Sequence, residues 1–249
     1  GTTNSAVAIV VDGKPVIVAD AKGNRTIPSV VSFAPDGSVL VGHDARRRLA
    51  KDPANTFSSV KRFIGKSFDS KTVKDDAQRV PYEVVAAPDG GVAMRCPALG
   101  ADVTPIEVSR HILATLLATA EDGAGVKRGD IKRAVVTVPA YFDDAQCAAT
   151  IEAGKRAGLE KVKLLHEPVA AALVQPARYA VQLTHDEADV GRARSRKRGH
   201  DARARADVAS LLLAGQPHAQ ARHVALGVAV VVLDADRLPA QARDPPLVP

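Results

Sequence analysis

A chain of 249 residues, 46% of them hydrophobic, can bury the core of one large domain or two modest ones. With 3% aromatics and no Trp, that core has to be mainly aliphatic. Two cysteines exclude a disulfide framework and fit free thiols in a reducing compartment, no secretory signal opens the chain, and the longest apolar run, Val224 to Leu233, falls well short of the ~20 residues a membrane helix needs. The net charge of +6 is unevenly made. Twelve of the thirteen lysines precede Pro176, whereas ten arginines follow it, so the composition breaks near Gln175.

In chain order, Ala6 to Val11 and Pro15 to Val18 are β-branched runs around Asp12-Gly13, the pattern of a tight hairpin. Ser29 to Phe33 and Ser38 to Val41 flank Pro35-Asp36-Gly37, a second hairpin with turn residues in turn positions. A short helix is predicted over Asp44 to Ala50. A third hairpin pairs Tyr82 to Ala86 with Val92 to Cys96 around Asp89-Gly90-Gly91. Thr104, Pro105 and Glu107 open a helix as N-cap, first-turn proline and capping-box acid, with Ile106, Leu113, Leu116 and Leu117 as its apolar stripe and Gly123 as its stop. Arg133 to Val138 reads as a buried strand, Asp143 to Ala157 as a helix ended by Gly158, and Lys161 to Leu165 as another strand. This spacing predicts a parallel βαβ unit. A further helix begins at Pro168. Hairpins followed by βαβ predict an α/β domain with a mixed sheet. Beyond Pro176 the pattern fails. Gly191 to Arg205 is a basic run expected to be disordered, and Val208 to Leu213 and Val224 to Leu233 fit short strands or helices with no partner.

Four segments carry residues suited to phosphate chemistry. Gly1-Thr2-Thr3-Asn4-Ser5 offers backbone N–H groups and hydroxyls at a turn. Lys61, in Val60-Lys61-Arg62-Phe63-Ile64-Gly65, offers a cation against phosphoryl charge; the competing reading is a solvent-facing lysine beside Arg62. Pro139 fixes the backbone where a buried strand ends, the region in which loops of parallel sheets hold active sites. Tyr141 and Phe142 beside it are expected in the core. Glu167, between a strand and a helix-starting proline, can orient water; its competing role is to complement a helix dipole. Gly65-Lys66-Ser67 is not a P-loop, because Val60 stands where the earlier glycine is required. His43, His111 and His166 do not share metal-ligand spacing with Cys96 or Cys147, so no metal site is assigned.

In this order the segments resemble the N-terminal ATPase domain of the seventy-kilodalton heat-shock chaperone family, the DnaK type, from Gly1 to about Gln175. The resemblance includes Gly23 to Ser29, Val136 to Phe142, Ala153 to Leu159 and Glu167 to Leu173; Phe57 to Lys66 and Arg95 to Gly100 look most like plastid and cyanobacterial members. It implies an actin-like, ribonuclease-H-like α/β fold in two lobes, of which residues 1–175 are mostly lobe I. It implies ATP hydrolysis with Mg²⁺ as cofactor, and partners of three kinds: unfolded client proteins, a J-domain co-chaperone and a nucleotide exchange factor. By the same resemblance Gly1, Thr2, Thr3 and Asn4 form a phosphate loop, Lys61 is the catalytic lysine on the γ-phosphate, Glu167 positions the attacking water, and Pro139 is a switch. The implied location is the cytoplasm or a plastid stroma, without secretion or a membrane.

The departures bear on activity. The strand ending in Asp that precedes the phosphate loop in this family is absent from the given sequence, as are a second phosphate loop (Asp-Leu-Gly-Gly-Gly-Thr) and an adenine-binding lobe. Cys147 stands where the family has an arginine that partners the switch proline, and His166 and Val169 replace Asn and Thr beside Glu167. The expectation is an ATPase domain with weak or no activity of its own. The alternative is a non-catalytic lobe whose basic tail, residues 176–249, docks on a protein or nucleic acid; the lack of interleaved aromatics disfavours nucleic acid. The Arg-, Ala- and Pro-rich composition of that tail also fits a shifted reading frame in GC-rich coding DNA.

Overall fold

The computed structural model describes residues 2–11, 14–174 and 229–233. The chain opens with the expected hairpin: β1 (Asn4–Val11) runs antiparallel to β2 (Lys14–Val18), with Val11 opposite Lys14. Its turn, Asp12-Gly13, lies outside the described residues. A two-residue strand, β3 (Ile27–Pro28), returns to pair with the start of β1. The second hairpin joins β4 (Val30–Phe33) to β5 (Val39–Val41), with Phe33 opposite Val39. Gly37 takes the left-handed conformation (φ 80°) that its turn requires, and the Asp36 carboxylate accepts from the Ser38 amide. Helix α1 (His43–Arg48) follows, then β6 (Thr56–Ser58) on the free edge of β4, α2 (Lys71–Ala77), and a meander of β7 (Val84–Ala86), β8 (Val92–Cys96) and β9 (Ala101–Val103). The sequence reading did not anticipate β3, β6 or β9. All three have two or three residues, too few for a period-2 pattern to register.

Helix α3 (Pro105–Ala124) begins as expected, with the Thr104 hydroxyl accepting from the Glu107 amide at 3.2 Å. Two details differ. The Glu107 carboxylate does not close a capping box but accepts from Arg110, a hydrogen bond that also holds its pKa low. The helix also runs through Gly123 and stops at Gly125, which takes the left-handed φ of 65°. Gly123 has a packing role instead: a Cβ there would overlap Val18 Cγ1. The parallel unit then appears as predicted: β10 (Arg133–Val138), α4 (Asp144–Arg156) with a reciprocal Asp143–Gln146 capping box, β11 (Lys161–His166), and α5 (Glu167–Val174).

The main sheet has the order β11-β10-β12-β1-β2, where β12 is Ala229–Leu233. It is parallel to β1 and antiparallel to β10. The segment read as a partnerless strand or helix thus supplies a strand of the central sheet. Val136 packs into the main core with α3, while its neighbour Val135 packs against Leu165 and Ala170. Successive strand residues face opposite ways, so α3 and α5 cover opposite faces of β10. The largest core cluster is aliphatic, apart from Phe63 and a chain of tilted and edge-on aromatic contacts joining His111, Phe33, Phe57 and Tyr82.

One buried acid fixes the passage from α3 to β10. Glu121 is 4% exposed and accepts from the amides of Gly129 (2.7 Å) and Ile131 (3.4 Å), with Arg128 3.6 Å away. Glu121→Ala strands those donors and is expected to cost about 2 kcal/mol in denaturant unfolding, with Glu121→Gln, which keeps an acceptor, losing less. A Glu121→Ala loss within about 0.5 kcal/mol, as for ordinary surface changes, rules this role out.

Candidate functional site

Lys61 sits in a 3₁₀ turn, Val60–Arg62, entered through Ser59, the one non-glycine with positive φ (58°) among the described residues. Val60, Phe63 and Ile64 are each 3% exposed or less and pin the turn into the core. The lysine between them is thereby carried to the end of β10. Its Nζ donates to Glu167 Oε1 at 2.5 Å and to the Thr137 carbonyl at 3.3 Å, and it lies 5.8 Å from the Phe142 ring centroid. The side chains of Lys61 and Glu167 are 15% and 28% exposed. The solvent-facing reading of Lys61 is therefore excluded. Burial pushes its pKa below the ordinary lysine value, and the Glu167 carboxylate opposes that shift.

Glu167 is the first residue of α5, where a carboxylate also complements the helix dipole. Register places it here: β10 and β11 are parallel with Val138 opposite His166, so the next residues of each strand, Pro139 and Glu167, emerge at the same sheet end. Pro139 is buried, and its carbonyl accepts from the Phe142 amide at 3.2 Å. His166 Nδ1 lies 3.3 Å from the same carbonyl, a contact that requires the tautomer protonated at Nδ1. Cys147 packs against the cluster of Ile64, Val138 and Phe142, beside the proline segment. Phe142 is core as expected. Tyr141 is not: it is 76% exposed, because the turn after Pro139 directs only one of two adjacent aromatics inward.

The N-terminal residues reach the same region in part. Thr2 and Lys61 line one cavity of about 70 Å³. The Thr3 carbonyl accepts from the Ser29 amide at 2.9 Å, and Asn4 pairs with Pro28, which fixes the start of β1. Gly1 lies outside the described residues. Lys61, Glu167, Pro139 and Thr2 are thus brought together, whereas Thr3 is exposed and Asn4 is engaged in the sheet.

The sequence reading missed Thr137. It is 4% exposed, and its hydroxyl has no hydrogen-bond partner among the described residues. A buried orphan hydroxyl one residue from the strand end, beside a desolvated ammonium, suits an oxygen-rich anion. Its only sequence signal is a polar residue interrupting the valines of β10. Among the described residues no three His, Cys, Asp or Glu side chains converge as a metal centre, and no helix is long and apolar enough to cross a membrane.

The family model described as Hsp70 protein matches residues 1–183. The chaperone protein dnaK3 of Synechococcus elongatus is 47% identical over 173 residues, covering 70% of this chain and 22% of the relative. The chaperone protein dnaK of Cyanophora paradoxa is 47% identical and the chaperone protein DnaK of Thermus thermophilus 48%, each over 173 residues, with 27% of the relative covered. The chain spans about a quarter of the length of these curated relatives. A match over most of the chain, together with this identity, establishes that it belongs to the Hsp70 family.

Proposed function

We propose that residues 1–175 are the phosphate-handling part, mostly lobe I, of an actin-like ATPase domain in an ATP-dependent chaperone that folds and refolds other proteins. The observation that carries this reading is the meeting of Lys61 and Glu167, 106 residues apart, at the end of the parallel strands beside Thr2 and the orphan Thr137 hydroxyl. ATP, when bound, supplies the phosphoryl group to be cleaved. Lys61 presents its ammonium to phosphate oxygens, and Thr2 brings a hydroxyl to the same cavity, with Gly1, Thr3 and Asn4 completing the phosphate loop in this reading. Glu167, released from Lys61, orients a water by accepting its proton in a hydrogen bond. Pro139, held by His166 and by its own turn, passes a change at the site to neighbouring backbone. Among the described residues no carboxylate cluster forms a metal cage, so Mg²⁺ would be held chiefly through the phosphates of bound nucleotide. Unfolded clients, a J-domain co-chaperone and an exchange factor are the partners, in the cytoplasm or a plastid stroma. Residues 176–249 are set apart by their Arg-, Ala- and Pro-rich composition, although Ala229–Leu233 joins the central sheet.

The given sequence has no second glycine-rich phosphate string, so the 249-residue chain alone is expected to bind ATP weakly. At ~1.5–3 kcal/mol per missing charge-assisted contact, two or three losses bring micromolar affinity to about 0.2 mM or weaker. Titration of the whole chain with Mg·ATP, followed by amide NMR shifts, tests this. The expected result is weak binding centred on Lys61 and Thr137 that disappears in Lys61→Ala. Equal binding by Lys61→Ala rejects the phosphate role. Steeply salt-dependent RNA binding in its place favours a non-catalytic lobe with a basic tail.

A further inference from the structure

Helix α3 carries a charged cluster whose geometry depends on one proton. The Arg110 guanidinium lies between two neighbours: its Nε and Nη2 donate to Glu107 Oε1 at 2.9 and 2.6 Å, and the same Nη2 lies 2.7 Å from His111 Nε2. A guanidinium has donors and no acceptor, so His111 Nε2 has to present its lone pair and the ring proton sits on Nδ1. The ring also packs on the core, meeting Phe33 at the end of β4 edge-on with 5.4 Å between centroids. The charged groups acting on His111 are Arg110 and Glu107, both of its own helix. From β4 it meets the uncharged Phe33 ring, and from α4 Arg156, paired with Glu152 at 2.8 Å, acts on Glu107. Burial and the Arg110 charge hold the His111 pKa below its ordinary 6.5, against the opposing pull of Glu107.

A proton from solvent on Nε2 reverses this pattern, because two donors then face each other at 2.7 Å. An acceptor for the new N–H is at hand in Glu107 Oε1, 3.5 Å from Nε2 and the oxygen that Arg110 already holds. Arg110 is the member with room to leave: its side chain is 29% exposed against 17% for His111. We propose that Glu107, Arg110 and His111 form an acid-operated catch on α3, in which protonation of His111 exchanges Arg110 for His111 on the Glu107 carboxylate and sends the guanidinium into solvent. Ser109 and Ile112, which flank Arg110 and His111, line the cavity shared by Thr2 and Lys61, so the exchange takes place on a helix that walls that cavity. Because the unfolded chain takes this proton more readily, the contribution of the cluster to stability is complete above pH 6.5 and is lost as pH falls through the lowered value beneath it.

NMR on the unmodified chain tests the exchange, following the His111 ring (assigned by its loss in His111→Gln) and the Arg110 Nε–H from about pH 8 to about pH 5. The expected result is a His111 midpoint below 6.5, the Nδ1–H tautomer on its basic side, and an Arg110 Nε–H shift with the same midpoint. An Arg110 signal that stays in place while His111 titrates, or a midpoint at or above 6.5, overturns the proposal. Two variants give a readout that lost packing alone does not produce: Arg110→Gln is expected to raise the His111 midpoint by about half a pH unit, and Glu107→Gln to lower it by a similar amount. A midpoint that neither variant moves overturns the proposal as well. Should a variant fail to fold, the titration of the unmodified chain decides.

Discussion

Gly65→Ala is expected to destabilise the fold by about 3 kcal/mol or more, the sum of a left-handed conformation imposed on alanine and of overpacking. Gly65 has a φ of 68°, and a Cβ on it would stand 2.6 Å from Gln146 Cα and 2.7 Å from both the Ala145 carbonyl oxygen and the Gln146 amide nitrogen. All three are backbone atoms in the first turn of a capped helix, so no side-chain rotation relieves the clash. The turn carrying Lys61 has to move away from α4, or α4 has to lose its first turn. Gly37→Ala is the matched control: its φ is 80° but nothing lies within 4 Å of the added carbon, so it bears only the conformational cost, about 1–2 kcal/mol. Urea unfolding of both variants separates the two contributions. Equal losses at the two positions would show that α4 yields freely, and the argument from close approach would be wrong.

The second large effect is expected at the ion pair. Glu167→Ala leaves the Lys61 ammonium desolvated with, among the described residues, the Thr137 carbonyl as its remaining acceptor. A fully buried broken pair costs 3–5 kcal/mol, and the residual exposure of these two side chains reduces the expectation to about 1–3 kcal/mol. Lys61→Met combined with Glu167→Ala should recover part of the loss, because the uncompensated charge is gone. A double-mutant cycle reads the difference. The pH dependence has a definite sign. Burial lowers the pKa of folded Lys61 below 10.5, so in the window beneath 10.5 the unfolded chain binds more protons at this residue than the folded one. The contribution of Lys61 to stability therefore rises with pH through that window. Removing Glu167 deletes the attraction that opposes the shift, so the window extends to lower pH and stability climbs more steeply with pH in Glu167→Ala than in the parent chain. Identical slopes would mean that the carboxylate does not hold the proton on Lys61.

Much of the fold was legible because it is local. The βαβ unit is legible nearly residue for residue, since Asp143 and Gly158 bound an Ala-rich helix between two valine- and leucine-rich strands. The hairpins were legible from their turn residues. Gly123 was misread as a stop because spacing alone cannot tell a glycine that ends a helix from one that lets a neighbouring strand approach; the contact with Val18 decides it. Glu107 was misread for a similar reason, because Arg110 three residues on competes for its carboxylate. At the site, the motif order identified Lys61 and Glu167, but their burial and contact depend on a crossover that no window of sequence contains. Thr137 and His166 were overlooked as site residues because their roles depend on strand register. The placement of β12 was illegible for the same reason: its partners lie more than ninety positions earlier.

The 106-residue separation of Lys61 and Glu167 also sets an order of events. The β4–β5 and β7–β8 hairpins close loops of a few residues, whereas this ion pair closes a loop larger by more than an order of magnitude, and the entropy of closure grows with loop length. The charged pair is consequently among the last contacts to form. A nascent chain halted between residues 125 and 166 can already hold α3 and both small meanders, yet it presents an unneutralised lysine in an apolar turn. That desolvated charge is neutralised only once the βαβ crossover brings Glu167 to Lys61.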